Sequence, residues 1–277
     1  MTIKVDFVDR NDKVISGQIS DDKDETAFSA QGDELVTLGV KEMRWRVGDQ
    51  IRVRIDQPNQ YLWVQLDETL NPSLIYLAQK EWRYTIPLSE TLAPSQLDTS
   101  FRSKRHYVIV RKASKADIVR YQNLALNPHD QHEATGAYPH ASANVETRGE
   151  SVFFAKNVID GKLANLSHGE YPFQCWGIGG RADAELKVDF GRDVELDCIK
   201  LLYRGDYPHD SYWVNATIEF SDGSEKVFDT TNSLEFQSFS FLKIQTSWIK
   251  LKNLTKAQDN SDFPALTQIE AYGNNIG

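Results

Sequence analysis

Ten residues, "RGDYPHDSYW" at 204–213, gather more chemistry than any other stretch of the chain. Arg204 supplies a planar fork of donors, Asp206 and Asp210 supply acceptors, and His209 can do either. Tyr207, Tyr212 and Trp213 supply flat apolar faces. Together these groups can hold a polyol ring, with hydroxyls bonded at the edge and a ring face stacked. A surface ion pair between Arg204 and Asp206 or Asp210 would use the same residues and contribute little. Arg204 comes directly after the alternating run "IKLLY", so it is expected at a strand end, aimed into a loop region.

Three other stretches carry related chemistry. In "FAKNVIDGKLAN" (154–165), the Asp160–Gly161 pair joins a carboxylate to a tight turn. That arrangement suits a hard cation, which needs about six to eight oxygen ligands, and it equally suits an ordinary turn. In "SHGEYPFQCWGIGG" (167–180), His168, beside Ser and Gly, is expected to be exposed, Tyr171 is an aromatic ring in the same polar, Gly-rich setting that could stack on a flat ligand face, and Trp176 reads as a core anchor. In "ALTQIEAYG" (265–273), Glu270 must face opposite to Ile269 on a strand, and a charge there needs a partner or a metal.

The elements that position these groups read as strands. "TIKVDFV", "QIRVRID", "YLWVQLD", "HYVIVRK", "AELKVDF", "CIKLLYR", "NATIEFS", "SWIKLKN" and "LTQIEAYG" show alternation or short β-branched and aromatic runs. "RNDK", "VGDQ", "QPNQ", "FGRD" and "SDGS" separate them as turns. The pattern predicts an all-β chain of two β-sandwich domains of jelly-roll type. The first is expected over residues 1–112 and the second over 127–277, with a short helical linker at 113–126, "ASKADIVRYQNLAL". In the first half, Trp63 in "YLWVQL" is expected in the core, and Trp45, between two arginines, is expected at the surface.

Composition narrows the partners. The 277 residues are 40% hydrophobic and 26% charged, enough for packed cores rather than disorder. The net charge is −9: residues 1–118 hold 17 Lys and Arg against 18 Asp and Glu, and residues 119–277 hold 14 against 22. An acidic second half argues against nucleic acid and against strongly anionic polymers, except where local arginines override the average. No apolar run is long enough to span a bilayer, and the first residues lack the apolar stretch of a secretory signal. The expectation is a cytoplasmic protein, or one exported by a leader outside this sequence. Cys175 and Cys198 lack metal-site spacing and read as small buried hydrophobes, with a single bridge open to an exported chain.

The order of the pieces carries a family resemblance. "NVIDGKLAN", the Trp of "QCWGIGG", "AELKVDFGRDVELDCIKLLYR", "ATIEFSDGSEKVF", "WIKLKN" and "LTQIEAYG" together resemble the discoidin, or coagulation factor five/eight type C, domain family over about 125–275. Within that family the sequence is most similar to family 32 carbohydrate-binding modules. The resemblance implies a galactose-binding-like jelly roll, non-catalytic and lectin-like. It also implies one structural calcium, with Asp160 and Glu270 as carboxylate ligands and backbone carbonyls near Asn157, Lys162 and Ala271. Lys162 stands where the family often has Asp or Asn, which departs from that pattern. For the sugar site it implies Arg204 at the base and His168 in the earlier loop. One of Tyr171, Tyr207, Tyr212 or Trp213 would be the platform, with Asp206, His209 and Asp210 at the rim. The first half resembles no family clearly, and a second galactose-binding-like module is one reading of it.

The sequence therefore predicts a carbohydrate-binding protein, with a galactose-type sugar or polysaccharide as partner. A protein-interaction module on the same fold, or an accessory domain of a glycan-active enzyme, is the alternative. There is no nucleophile elbow and no "HExxH", and Asp206 and Asp210 are too close in sequence to frame a sugar as paired catalytic carboxylates.

Overall fold

The computed structural model describes residues 1–18, 24–166 and 171–276. The chain is built almost wholly from antiparallel strands and falls into two compact units, 1–114 with 133–137, and 115–132 with 138–277. The division differs from the expected boundaries in two ways. Most of the stretch expected to be a linker belongs to the second unit, and residues 133–137 return to the first, where Ala137 joins the core. The expected linker helix is only Lys115–Val119, with no buried residue to hold a longer one, and Gln122–Asn123 already pairs as a strand with Tyr272 and Gly273.

The first unit is a sandwich. One sheet runs Ser29–Asp33, Thr2–Val8, Gln50–Ile55, Glu81–Thr85, and the other contains Ser73–Leu77, Gln60–Gln65, His106–Lys112 and Leu35–Val40 in that order. Alternation decides what points inward: Ile3, Val5 and Phe7 from one sheet meet Leu62, Val64, Val108 and Val110 from the other. Two tryptophans correct the sequence reading. Trp45 is only 7% exposed, packed on Phe7 at 4.5 Å and His106 at 5.5 Å between ring centroids. Trp63 lies half-buried on the opposite face from Leu62 and Val64, under the guanidinium of Arg111 at 5.5 Å. A period of two forces that outcome once Leu62 and Val64 are inside.

The second unit is also a sandwich, with strands in the order Gln122–Asn123, Ala265–Asn275, Leu186–Tyr203, Gln237–Lys256, Trp213–Phe220, Glu225–Asp229. His140–Ala143 pairs with Leu186–Tyr203, and Trp176–Gly177 with Ala265–Asn275. "FGRD" is not a turn between strands, as its composition suggests. It is an irregularity inside one 18-residue strand, where the pairing register shifts between Asp189 and Val194. Gly191 makes it possible: its φ is +65°, Asp189 accepts its N–H at 2.8 Å, and a Cβ there would stand 2.3 Å from the Tyr138 ring. Trp176, Trp213, Tyr203, Phe190 and Phe220 centre the core, and Trp176 satisfies its indole N–H on the Val145 carbonyl at 2.9 Å. Cys175 and Cys198 are both buried and free, and burial pushes the Cys175 thiol up to about 12. Among the described residues no helix is long and apolar enough to cross a membrane.

Candidate ligand pocket of the second unit

Arg204 does stand directly after the strand Leu186–Tyr203, its N–H bonded to the Ala265 carbonyl at 3.0 Å. Its side chain, however, turns inward. The residue is 2% exposed, Nε donates to Asp206, and Nη1 donates to the Phe173 carbonyl. Asp206 is buried with it. This pair braces the base of the loop, and the loop's outer surface is made by other residues.

The remaining expected residues scatter. Trp213 is buried against Tyr203 and Trp176, so it presents no face to a ligand. Tyr212 is partly buried against the same core. Asp210 accepts from Ser261. Tyr207 is 72% exposed, and Tyr171 is exposed with the Lys162 ammonium 5.5 Å from its ring centre. His168 lies outside the described residues.

One member of the ten-residue stretch does reach a concavity. His209, with Pro208, lines a pocket of about 230 Å³. Nδ1 of His209 bonds the Phe263 carbonyl at 2.9 Å, and since a carbonyl can only accept, that nitrogen carries the proton. The ring stands 6.2 Å from Phe153 and 6.4 Å from Phe263, both of which line the same pocket. Arg148 closes another side. It adopts φ 54°, and its guanidinium lies 5.3 Å from the Phe153 ring centre and forms a bidentate pair with Glu150 at 2.6 and 2.8 Å. That pair holds the Glu150 carboxyl below its usual range. Gly177 forms part of the wall, and a Cβ there would come within 2.9 Å of both Phe153 and the Thr147 hydroxyl. The arrangement offers aromatic walls, a planar cation and a hydroxyl around a cavity, which suits a small polar ring with apolar faces.

Phe153, Phe263 and Arg148 escaped the sequence reading because the 147–153 segment that carries Arg148 and Phe153 is far in sequence from Phe263. The available signal was Phe263 itself, an aromatic between an acidic turn and a proline in "DNSDFPAL", where a core has no use for it.

The residues expected around calcium do not fit that ion. Asp160 is buried, and burial pushes its carboxyl up. Oδ1 accepts the Lys162 N–H at 2.8 Å, and Oδ2 faces the Lys162 ammonium at 3.8 Å. The strand residue that reaches this turn is Gln268, whose Oε1 accepts the Gly161 N–H at 3.3 Å. Glu270 pairs across the strands with Lys200 and lies beside Tyr272, while Ile269 faces the core. The Ala271 carbonyl already accepts Leu124 N–H at 2.7 Å. Among the described residues no three His, Cys, Asp or Glu gather to hold a metal. One carboxylate beside two lysines, Lys156 and Lys162, is a site for its own ammonium groups rather than for a divalent cation.

No family model matches the chain, and no curated protein matches it. Part of the chain is similar to solved carbohydrate-binding and lectin modules. A family 32 carbohydrate-binding module of C. perfringens NanJ, in complex with galactose, is 20% identical over 48% of this chain and 91% of that one, with a TM-score of 0.37. Chitosan-binding module 1 of a chitosanase/glucanase from Paenibacillus sp. IK-5 is 18% identical over 55% and 98%, with a TM-score of 0.39. The lectin domain of lectinolysin, complexed with Lewis B antigen, is 16% identical over 56% and 98%, with a TM-score of 0.40.

Proposed function

We propose that the second unit is a non-catalytic carbohydrate-binding module that holds one sugar residue in the pocket walled by Phe153, His209 and Phe263. The observation that carries this reading is the set of three rings around a cavity of about 230 Å³, with the Arg148 guanidinium and the Thr147 hydroxyl at its edge. Rings pack on the apolar faces of a pyranose while polar edges bond its hydroxyls. Arg204 supports the loop from beneath. The affinity expected of so few polar contacts is roughly micromolar to millimolar. A glycan array read with the full chain, followed by calorimetry on the best binder, tests the reading. Saturable binding that weakens about tenfold in Phe263→Ala supports it. Failure to bind any neutral or acidic glycan on a broad array overturns it.

A second reading, a protein-binding surface, is favoured by a different observation. Leu163, Leu166, Tyr171, Tyr207 and Leu234 are all exposed on loops of the same unit. Scattered exposed apolar residues are ordinary, so the walled pocket is the stronger feature.

A further inference from the structure

The first unit has a cavity of its own, about 330 Å³, between the 9–16 segment and the 42–49 segment. Its polar lining looks balanced by count, but existing bonds already occupy most of the acids. Asp9 accepts the N–H groups of Asn11 and Lys13 at 2.9 and 3.0 Å, and Glu42 pairs with Lys104 at 3.1 Å. The cations are not similarly used. Lys13, Arg44 and Arg46 all line the cavity and are exposed, and among the described residues none of them forms an ion pair. Arg44 has one long bond to the Arg102 carbonyl at 3.5 Å.

Asp49 is the exception among the acids. It is 4% exposed, it lines the cavity, and only one of its oxygens is bonded, Oδ2 to the Arg46 N–H at 2.8 Å. The turn that presents it is fixed by the Asp49 N–H on the Arg46 carbonyl at 3.1 Å and by Ile86 N–H on the Asp49 carbonyl at 3.0 Å. Burial raises its carboxyl above the ordinary range, against the Arg46 N–H and the nearby charges of Arg46 and Arg10, which lower it. Oδ1 is left as an acceptor open to the cavity, where a ligand hydroxyl can donate to it. The cavity therefore offers two things at once: Asp49 Oδ1 in the wall as an acceptor for a hydroxyl, and at the mouth three exposed cations, Lys13, Arg44 and Arg46, of which Lys13 and Arg46 feel Asp9 and Asp49 only through space.

We propose that this cavity binds a single carboxylate-bearing sugar residue of the hexuronate class, a ring hydroxyl donating to Asp49 and the carboxylate facing Arg44 and Arg46. Arg is suited to that role because its fork meets a carboxylate with two parallel bonds. A neutral hexose offers nothing to the cations, and a simple carboxylate such as acetate offers nothing to Asp49. The site is separate from the pocket of the second unit and does not depend on it.

The test is a titration of the full chain, isotopically labelled and followed by amide chemical shifts, with sodium glucuronate, glucose and acetate in turn. Saturable shifts with glucuronate are expected around residues 9–16 and 42–49, with glucose and acetate at least tenfold weaker. Arg46→Ala, which removes an exposed side chain, should weaken glucuronate at least tenfold with an unchanged melting temperature, and Asp49→Asn should weaken it too. Phe263→Ala should leave it unaffected. Glucose or acetate binding as well as glucuronate, no saturation with glucuronate, no effect of Arg46→Ala, or loss in Phe263→Ala would each overturn the proposal.

Discussion

Nδ1 of His209 donates to the backbone carbonyl of Phe263 at 2.9 Å, tying two walls of one pocket to each other through an atom that no side-chain substitution at 263 removes. The ring of Phe263 can thus be deleted while the tether stays. Phe263 is 43% exposed, so Phe263→Ala should change stability by no more than about 0.5 kcal/mol. It should weaken sugar binding about tenfold, the value of one lost stacking face. Calorimetry against the glycan selected on an array measures the second quantity, and chemical denaturation the first. Full retention of affinity would remove Phe263 from the site.

Arg204 and Asp206 should behave as structural residues. Arg204→Ala leaves a buried carboxylate without its main partner, and such a loss costs about 3–5 kcal/mol. Urea denaturation of Arg204→Ala, Asp206→Ala and the double variant should show strong coupling, the double losing much less than the sum of the singles. A melting temperature unchanged in Arg204→Ala would contradict the buried pair.

Calcium should not stabilise the second unit. Lys162 holds Asp160 through both its N–H and its ammonium, so thermal unfolding should be the same with excess chelator and with excess calcium. Lys162→Met should lower the melting temperature under both conditions. A rise of several degrees on adding calcium, abolished by Asp160→Asn, would show that a cation displaces the lysine.

Acid should destabilise the second unit through His129. Burial pushes this histidine from 6.5 down to about 3, so the folded chain keeps it neutral where the unfolded chain protonates it. Between those two values the unfolded state binds more protons, and stability falls as pH falls, by at most about 1.4 kcal/mol per pH unit from this one group. The raised carboxyl of Asp130 works in the opposite sense, which makes the difference between proteins the useful quantity. His129→Gln should flatten the stability profile between pH 6.5 and 3 relative to wild type. Parallel profiles for the two proteins would refute the assignment.

The sheets were legible wherever alternation met a sharp turn. "TIKVDFV" predicts Ile3, Val5 and Phe7 on one face, and that face is the core. Bulk misled where it was weighed above periodicity, as with Trp63, and flanking charge misled at Trp45, since arginines on either side point outward on their own. "FGRD" has turn composition, yet two layers of pairing on either side carry the strand through it. The pocket was the least legible part. Arg204 was singled out correctly as a strand-end residue, but whether a guanidinium turns in or out depends on what lies beneath it. Here that is Asp206, two residues on, and the Phe173 carbonyl from a distant loop. Phe153 and Phe263 are 110 residues apart, and no spacing rule links them.

The return of residues 133–137 to the first unit sets an order of events during synthesis. The Ala78 N–H waits for the carbonyl of Gly136 at 3.1 Å, a residue translated only after 115–132 have emerged. The leading body is thus finished late, by a stitch thrown backwards across the start of the trailing one, and a gene shortened after codon 114 would encode a domain with its last seam open.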